Sequence, residues 1–157
     1  MHKITPFLWF ESGAEDAANL YVSIFSGSIV EKRQWGEGGP APAGSILSVT
    51  FEIDGREFIA FEGGPGHPFT DAFSISVTVD TQEELDAAWD RLLADGGQPV
   101  ACGWLKDRWG LSWQIVPKEL EELMASTEPG VSERATKAML TMVKLDIAAI
   151  KAAVAAS

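Results

Sequence analysis

Residues 73–84 read FSISVTVDTQEE, and this stretch predicts a strand that leads into a capped helix. Apolar and hydroxyl side chains alternate strictly from Phe73 to Val79, so the strand should have one apolar face and one polar face. The Thr81–Glu84 run is a capping box, in which a hydroxyl and a carboxylate accept hydrogen bonds from backbone N–H groups at a helix start. Residues 95–97 (Asp-Gly-Gly) should end that helix. Its apolar stripe consists of Leu85, Trp89, Leu92 and Leu93.

The same pattern occurs earlier in the chain. Residues 4–10 (ITPFLWF) predict an aromatic-rich strand, and Ser12-Gly-Ala-Glu15 predicts a second capping box. Ser26-Gly27 should end the helix that follows. Its apolar residues recur at spacings of three and four, and three of them match the second helix at one constant offset, which indicates an internal duplication. The apolar set is Ala17, Leu20, Tyr21, Ile24 and Phe25.

Further strands are predicted after each helix. After the first helix we expect strands over 29–35, 45–53 and 57–62, the last two joined by the hairpin signal Asp54-Gly55. After the second helix we expect strands over 99–105 and 111–116, with Lys106 to Gly110 as the turn. Each half of the chain therefore reads as strand, helix and several strands.

Loop composition and the final residues define the predicted organisation. The GGPGHP run at 63–68 is rich in turn residues and separates the halves, so we place module 1 at 3–63, a linker at 63–70 and module 2 at 71–117. A helical extension follows at 118–157, and Ser132 should cap its terminal helix. Only one side of that helix is apolar, so it must dock on its own domain or on a partner chain. That apolar side consists of Met139, Val143, Ile147, Ile150 and Val154.

Composition narrows the classes of function. The chain of 157 residues is 46% hydrophobic and 22% charged, with a net charge of −11 and no basic cluster, so we expect neither a nucleic-acid partner nor a membrane partner. Cys102 is the single cysteine, and a disulfide within the chain is impossible. The first residues lack the apolar core of a signal peptide, and no apolar run approaches the ~20 residues that span a bilayer. These features predict a cytoplasmic protein.

Four segments resemble a known family. Ile4–Phe10, Ala17–Tyr21, Cys102–Val116 and Ala138–Ile147 are similar to the PhnB-like branch of the vicinal oxygen chelate (glyoxalase/bleomycin-resistance) superfamily, a branch often labelled "3-demethylubiquinone-9 3-methyltransferase". The GWLKDRWGLSWQ run is the most specific part, and the resemblance covers nearly all of the chain. It implies an α+β fold, in which two paired βαβββ modules form an open, U-shaped mixed sheet around a cavity, plus a C-terminal helix. Members are commonly dimeric, so a homodimer is expected.

The resemblance also implies where a metal would lie. In the enzymes of the superfamily, His and Glu side chains from four strands bind a divalent cation in the cavity, and those positions correspond here to about Thr5, Glu62, Ser74 and Gln114. Three of these side chains are neutral, whereas a catalytic cation typically has about three strong protein ligands. We therefore expect no metal and no other cofactor.

Several residues allow both a structural and a functional interpretation. Glu62 is either an exposed carboxylate at a strand end or a general base that faces a Trp-lined cavity. His67 is either a solvent-exposed loop residue or part of a lid that brings its imidazole to a ligand. Lys106 and Arg108 either lie solvated in a turn or anchor an acidic ligand. Cys102 is expected to be an inert, half-buried strand residue, because a nucleophilic thiolate needs a cationic neighbour.

The tryptophans are open to the same two interpretations. Trp89 belongs to a helical stripe and should lie in the core. Trp9, Trp104 and Trp113 lie on strands, where they either line an apolar pocket or fill the core. A methyltransferase receives no support from the residues, because the Gly36–Gly39 turn is followed by prolines and a strand, whereas a nucleotide site needs a helix N-terminus.

The leading hypothesis is a protein that binds an unknown small molecule in an aromatic-lined cavity without a catalytic metal. One alternative is an enzyme, either a metal-assisted isomerase or dioxygenase relative or a metal-free proton-transfer catalyst that uses Glu62. A second is the methyltransferase of the family label, and a third is a structural dimer with a filled interior. The predicted ligand-binding residues are Thr5, Phe7, Trp9, Glu62, Ser74, Ser76, Trp104 and Gln114.

Overall fold

Two compact units make up the protein, and each carries one four-stranded mixed sheet. The computed structural model describes residues 3–156, and the boundary between the units falls between Phe69 and Thr70. Each unit has the order strand, helix and three strands, so the two βαβββ modules predicted from the duplication are present. Three further helices follow the second module.

The first unit has its strands in the order β1-β4-β3-β2, with β1 parallel to β4 and the other pairs antiparallel. Strand β1 begins at Phe7, later than the predicted residue 4, whereas the other strands agree with their predictions to within one residue. The elements are β1 (Phe7–Phe10), α1 (Ala14–Ile24), β2 (Ser28–Gln34), β3 (Ile46–Ile53) and β4 (Arg56–Glu62).

Helix α1 covers one face of this sheet, where it packs mainly on β3 and β4. Because side chains alternate between the two faces of a strand, the buried residues of β1, β3 and β4 all point towards α1. We call the opposite surface the open face of the first sheet. The buried set includes Leu8, Phe10, Val49, Phe51, Phe58 and Ala60, with Ala17 and Tyr21 from the helix.

The second unit repeats this arrangement in the order β5-β8-β7-β6, with β5 parallel to β8. Helix α2 packs on β7 and β8, and its stripe includes Trp89, which lies in the core as predicted. The side chains that point away from α2 form the open face of the second sheet. The elements are β5 (Ser74–Val79), α2 (Gln82–Leu93), β6 (Gln98–Pro99), β7 (Trp104–Lys106) and β8 (Ser112–Pro117).

A turn interrupts the strand that was predicted over residues 99–105. Cys102 and Gly103 have positive φ angles of 54° and 85°, and their N–H groups donate to the carbonyls of Met142 (2.9 Å) and Val143 (2.8 Å). The prediction of Cys102 as a strand residue was therefore wrong. Its backbone bonds to the C-terminal extension instead of to a neighbouring strand.

The C-terminal extension contains three helices, α3 (Lys118–Met124), α4 (Val131–Leu140) and α5 (Ile147–Ala155). The predicted C-terminal helix is therefore present, whereas the prediction that one continuous helix carries the whole apolar stripe was wrong. Gly130 is the N-cap of α4, and the Ser132 hydroxyl donates to the Met124 carbonyl at 2.8 Å. The predicted stripe is divided between helices: Ile150 is buried on α5, whereas Val143 is exposed in the connection before it.

The extension packs on α2 within the second unit. The Gln82 side chain donates to the Leu145 carbonyl (3.1 Å) and accepts from the Ile147 N–H (2.9 Å). Lys144 pairs with Asp86 of α2 at 2.9 Å, and Leu145 is fully buried. No helix within residues 3–156 is long and apolar enough to cross a membrane.

The two module helices begin differently. The capping box of α2 is confirmed, because the Thr81 side chain accepts from the Glu84 N–H at 3.2 Å and the Glu84 carboxylate accepts from the Asp80 N–H at 2.9 Å. The capping box predicted at Ser12 was wrong. Gly13 occupies the N-cap position of α1, with a φ of 81°.

Candidate functional site

The cap of α1 comes from Glu62, the last residue of β4. Its Oε1 accepts the Gly13 N–H at 2.9 Å, and its Oε2 accepts the Ala14 N–H at 2.7 Å. A helix N-terminus has N–H groups without partners in the helix and a partial positive charge, so a carboxylate there satisfies donors and is electrostatically favoured. Glu62 therefore ties the end of β4 to the start of α1.

The structure separates Glu62 from the other predicted site residues of the first unit. Strand alternation places Glu62 with Ala60 on the α1 side of the sheet, whereas Phe7 and Trp9 point to the open face. Glu62 is half-buried rather than an exposed strand end. It lines a cavity of about 360 Å³, whose other walls include Trp35, Pro42 and Asp16. The role of Glu62 as a general base stays a prediction, and this cavity is where its substrate would bind.

Three aromatic rings meet on the open face of the first sheet. Phe61 lies beside Trp9 across the β1–β4 pair, with ring centroids 4.9 Å apart and edge-to-face, and it lies 5.2 Å from Phe7. The His67 ring lies 4.3 Å from that of Trp9. We call Phe7, Trp9, Phe61 and His67 the aromatic cluster. Thr5 is half-buried and lies two residues before β1 begins.

The loop over residues 63–68 completes this cluster. The Trp9 indole N–H donates to the Gly64 carbonyl at 2.8 Å. A Cβ at Gly63 would overlap the Trp9 indole, so only glycine allows the loop to approach the ring this closely. His67 is exposed, as its loop position predicted, and it also contacts Trp9. Its position on the cluster could not be read from sequence, because the contact joins residues that are far apart in the chain.

The open face of the second sheet is polar. Ser74, Ser112 and Lys106 lie side by side across β5, β8 and β7, and the next row is Ser76, Gln114 and Trp104. The Gln114 Nε2 donates to the Ser74 Oγ at 3.0 Å. The structure therefore brings together the four predicted ligand-binding residues of this unit, namely Ser74, Ser76, Trp104 and Gln114, on one face.

An acidic residue covers one corner of this polar face. The Asp71 Oδ1 lies 3.0 Å from the Lys106 Nζ and accepts from the Ser112 Oγ at 3.3 Å. The hydrogen bond from Lys106, together with its positive charge, holds the pKa of the Asp71 carboxyl below its usual value. Lys106 is the last residue of β7 and pairs with Asp71. The prediction that Lys106 lies in the turn was therefore wrong.

The turn that follows β7 is organised by Asp107, which the sequence reasoning missed. This carboxylate is only 3% exposed and accepts from the N–H groups of Trp109 (3.0 Å) and Leu111 (3.1 Å) and from the Trp113 indole (3.0 Å). Trp113 is therefore a core residue rather than a pocket wall. Arg108 pairs with Asp95 at 3.0 Å and lies 4.1 Å over the Trp109 ring. The signal that could have revealed Asp107 is its place at the start of a tight turn.

The donors at the family's metal positions do not fit a catalytic divalent cation. Thr5, Ser74 and Gln114 are neutral, and both oxygens of Glu62 already accept backbone hydrogen bonds. Such a cation typically needs about three strong protein ligands, drawn from imidazole, carboxylate or thiolate. Within residues 3–156, no three His, Cys, Asp or Glu side chains are grouped so that they could hold a metal ion. These four positions therefore lack the donor set of a catalytic metal centre.

The two βαβββ modules define the glyoxalase fold class, and comparison with known proteins identifies the family. The family model described as 3-demethylubiquinone-9 3-methyltransferase matches residues 2–116. The PhnB protein from Bacillus cereus is 36% identical, with 74% of this chain and 99% of that chain covered and a TM-score of 0.67. The chain therefore belongs to the 3-demethylubiquinone-9 3-methyltransferase family, which confirms the predicted PhnB-like branch.

Two more distant structures share the fold. Protein PA1353 from Pseudomonas aeruginosa is 21% identical, with a TM-score of 0.62 over 74% of this chain and 98% of that chain. The fosfomycin resistance protein FosX from Listeria monocytogenes, complexed with Mn(II) and sulfate, is 20% identical, with a TM-score of 0.55 over 78% and 98%. No curated protein matches the chain. The family match ends at residue 116, so the resemblance of Ala138–Ile147 and the helices α3 to α5 lie outside it.

Proposed function

We propose that this PhnB-like protein binds a flat, largely apolar small molecule on the aromatic cluster, without a catalytic metal. The observation that carries the proposal is the exposure of Phe7, a residue that is 56% accessible beside Trp9 and Phe61. Large apolar side chains grouped at a surface mark places where a ligand or partner removes them from water.

The chemistry of the cluster favours an aromatic ligand. Ring pairs in offset or edge-to-face contact contribute about 0.5–1.5 kcal/mol beyond the burial of their area. The Trp9 N–H already donates to Gly64, so it is the ring surface of Trp9 that is offered to a ligand. The His67 imidazole and the Thr5 hydroxyl supply the few polar groups that fix orientation in such sites.

Binding of indole, observed by ¹H–¹⁵N correlation spectra of the full chain, tests this proposal. We expect chemical-shift changes that are centred on β1, β4 and residues 63–68. Phe7→Ala should weaken binding at least fivefold, because it removes an exposed ring from the cluster. The matched control is Phe73→Ala, since Phe73 is similarly exposed at 46% but belongs to the other unit. Equal affinities of the two variants would rule out the aromatic cluster as the binding site.

The cavity beside Glu62 favours a second candidate, metal-free proton transfer. A carboxylate on a wall that also contains Trp35 could remove a proton from a carbon acid held on the indole. The test is deuterium exchange at the α-carbons of phenylacetone in D₂O with excess chelator. Glu62→Gln also weakens the helix cap, so Trp35→Leu serves as a second variant that leaves the cap intact. This candidate predicts exchange that both variants slow at least tenfold; exchange no faster than in buffer excludes it.

A methyltransferase is not proposed, despite the family's description. The loop from residue 35 to residue 45 leads into β3 rather than into a helix. A nucleotide site of the common strand–turn–helix type needs a helix N-terminus at that point.

The homodimer remains part of the proposal, since the members that this chain resembles are commonly dimeric. Exposed apolar side chains at Leu140 and Val143 are compatible with burial against a second copy. Sedimentation velocity at micromolar concentration should give twice the chain mass of 16.9 kDa. A monomer under these conditions contradicts the dimer and leaves the ligand proposal standing.

A further inference from the structure

We propose that the open face of the second sheet binds a carboxylate, and that Asp71 occupies the place of the ligand's carboxylate in the structure. The ligand class is a small aromatic acid with a short spacer between ring and carboxylate. This inference goes beyond the aromatic cluster, because all of its residues belong to the second unit.

The contacts of Asp71 are those that a bound carboxylate would make. One oxygen, Oδ1, lies 3.0 Å from the Lys106 ammonium and 3.3 Å from the Ser112 hydroxyl. Lys106 and Ser112 are cross-strand neighbours on β7 and β8, so the sheet itself positions this pair of donors. Asp71 instead comes from the segment before β5 and is exposed. Lys106 and Ser112 are therefore held in place by the sheet, whereas Asp71, which they contact, lies outside it.

Ser112 distinguishes this corner from an ordinary surface ion pair. Its residue is only 1% exposed, and its hydroxyl donates to Asp71. A buried hydroxyl must keep a hydrogen-bond partner, so a ligand that displaces Asp71 has to supply an acceptor at the same point. A carboxylate does so, and it restores a charge-assisted bond to Lys106. Exposed ion pairs contribute little to stability, so Asp71 can be exchanged at low cost.

Trp104 determines what kind of acid fits. It precedes Lys106 by two positions on β7, so it lies on the same face at a distance of about 6.6 Å along the strand. Trp104 is half-buried and has Gln114 as its cross-strand neighbour. A ring that contacts the indole can therefore place a carboxylate on Lys106 across a spacer of about two carbons, as in 3-phenylpropionate.

The experiment titrates the full chain with 3-phenylpropionate and, separately, with the neutral 3-phenylpropanamide, again followed by ¹H–¹⁵N correlation spectra. We expect the acid to shift resonances of β5, β7 and β8, and to bind at least fivefold more tightly than the amide. Asp71→Asn should tighten acid binding at least threefold, because it removes the competing charge. Lys106→Met should weaken it at least tenfold, and Lys106→Arg should restore most of the affinity.

The Lys144–Asp86 pair provides the matched control. Its ions lie 2.9 Å apart and its lysine side chain is 40% exposed, the same as that of Lys106. Asp86→Asn changes the net charge as Asp71→Asn does, and Lys144→Met changes it as Lys106→Met does. Both control variants leave the polar face intact, so both should keep the wild-type affinity within twofold.

Three results would overturn the inference: equal binding of acid and amide, an increase with Asp86→Asn as large as that with Asp71→Asn, or no acid binding by wild type and Asp71→Asn at millimolar concentration. Indole binding that depends on Phe7 is a separate readout. The two sites can therefore fail independently.

Discussion

The two units share one topology but begin their helices by different means. In the second unit, Thr81 and Glu84 cap α2 from within its own first turn. In the first unit, Glu62 caps α1 from the far end of the module, 48 residues from Ala14. A duplicated motif can thus keep its architecture while a local cap is replaced by a tertiary one. The consequence is that α1 and β4 depend on each other, whereas α2 carries its own start signal.

The open faces of the two sheets also differ, in the chemistry of their side chains. The first presents rings from β1 and β4 beside Ser48 and Thr50 of β3, and the second presents hydroxyls, an amide and a lysine beside the single indole of Trp104. Both buried faces remain apolar, because both must cover a helix. The shared fold therefore constrains one side of each sheet and leaves the other free for chemistry.

The largest expected effect is the loss of the tertiary cap. Glu62→Gln should lower the free energy of unfolding by about 2–3 kcal/mol, because hydrogen bonds to a charged acceptor contribute about 1.5–3 kcal/mol and the amide offers only one acceptor oxygen. Urea denaturation measures this difference. Glu57→Gln on the same strand is the control, and we expect a change below about 0.5 kcal/mol for it. Equal effects of the two substitutions would show that the hydrogen bonds to Glu62 add nothing to the free energy of unfolding.

The next effect concerns the close contact between loop and ring in the first unit. Gly63→Ala places a methyl group against the Trp9 indole and should cost about 1–3 kcal/mol, as overpacking typically does. It should also weaken indole binding, since Trp9 must move. Gly36→Ala is the matched control, because a Cβ there meets open space. If Gly63→Ala and Gly36→Ala unfold at the same urea concentration, the loop does not pack closely on Trp9 and the prediction is wrong.

The local cap of the second unit should matter less than its tertiary counterpart. Thr81→Ala removes one side-chain acceptor and should cost about 1 kcal/mol, within the range of about 0.5–2 kcal/mol that is usual for N-caps. Thr81→Ser keeps the acceptor and should restore most of the stability. The same urea experiment ranks this cap against Glu62. A larger loss for Thr81→Ala than for Glu62→Gln would reverse the comparison between the units.

The smallest effect is a pH dependence at the ion pair between α2 and the docked extension. Hydrogen bonds from Gln82 and Lys144 lower the pKa of Asp86, so its contribution is present above its unfolded pKa and lost as pH falls through the lower folded value. The hydrogen bond to Asp86 raises the pKa of Lys144, so that contribution is present below the unfolded value and lost as pH rises through the folded one. The side chains of Lys144 and Asp86 are 40% and 43% exposed, so solvent screens the pair and we expect a contribution of less than about 1 kcal/mol.

Thermal unfolding of wild type and Asp86→Asn across pH tests this pair. The difference between the two proteins should be largest at neutral pH and should shrink below pH 3.8 and above pH 10.5, the ordinary values for the two groups. A difference that stays constant at both extremes contradicts the assignment.

Local patterns were enough to predict much of this fold. The alternation from Ser74 to Val79, the Thr81 capping box and the Asp54-Gly55 hairpin each depend on neighbours in sequence, and each is present, whereas Phe73 lies before the strand and is exposed. The prediction of a cap at Ser12 was wrong because the residue that caps α1, Glu62, comes from β4 and is distant in sequence. The prediction of a strand at Cys102 was wrong for the same reason, because the acceptors for this turn are the distant carbonyls of Met142 and Val143.

The candidate site follows the same division. Strand alternation correctly placed Phe7 and Trp9 on one face, and it grouped Ser74 with Ser76. It could not predict the Trp9–His67 contact or the corner formed by Asp71, Lys106 and Ser112. These contacts depend on how loops fold back on strands, which periodicity does not encode.

The turn at Cys102 and Gly103 has a practical consequence for anyone who trims this protein to its recognisable part. A fragment that stops where the family match stops would strip two backbone amides of their acceptors and remove the leucine, Leu145, that lies against Gly103. The shortest strands of the second sheet, β6 and β7, border this turn. The connection between α4 and α5, beyond the match, therefore helps to hold that edge of the sheet.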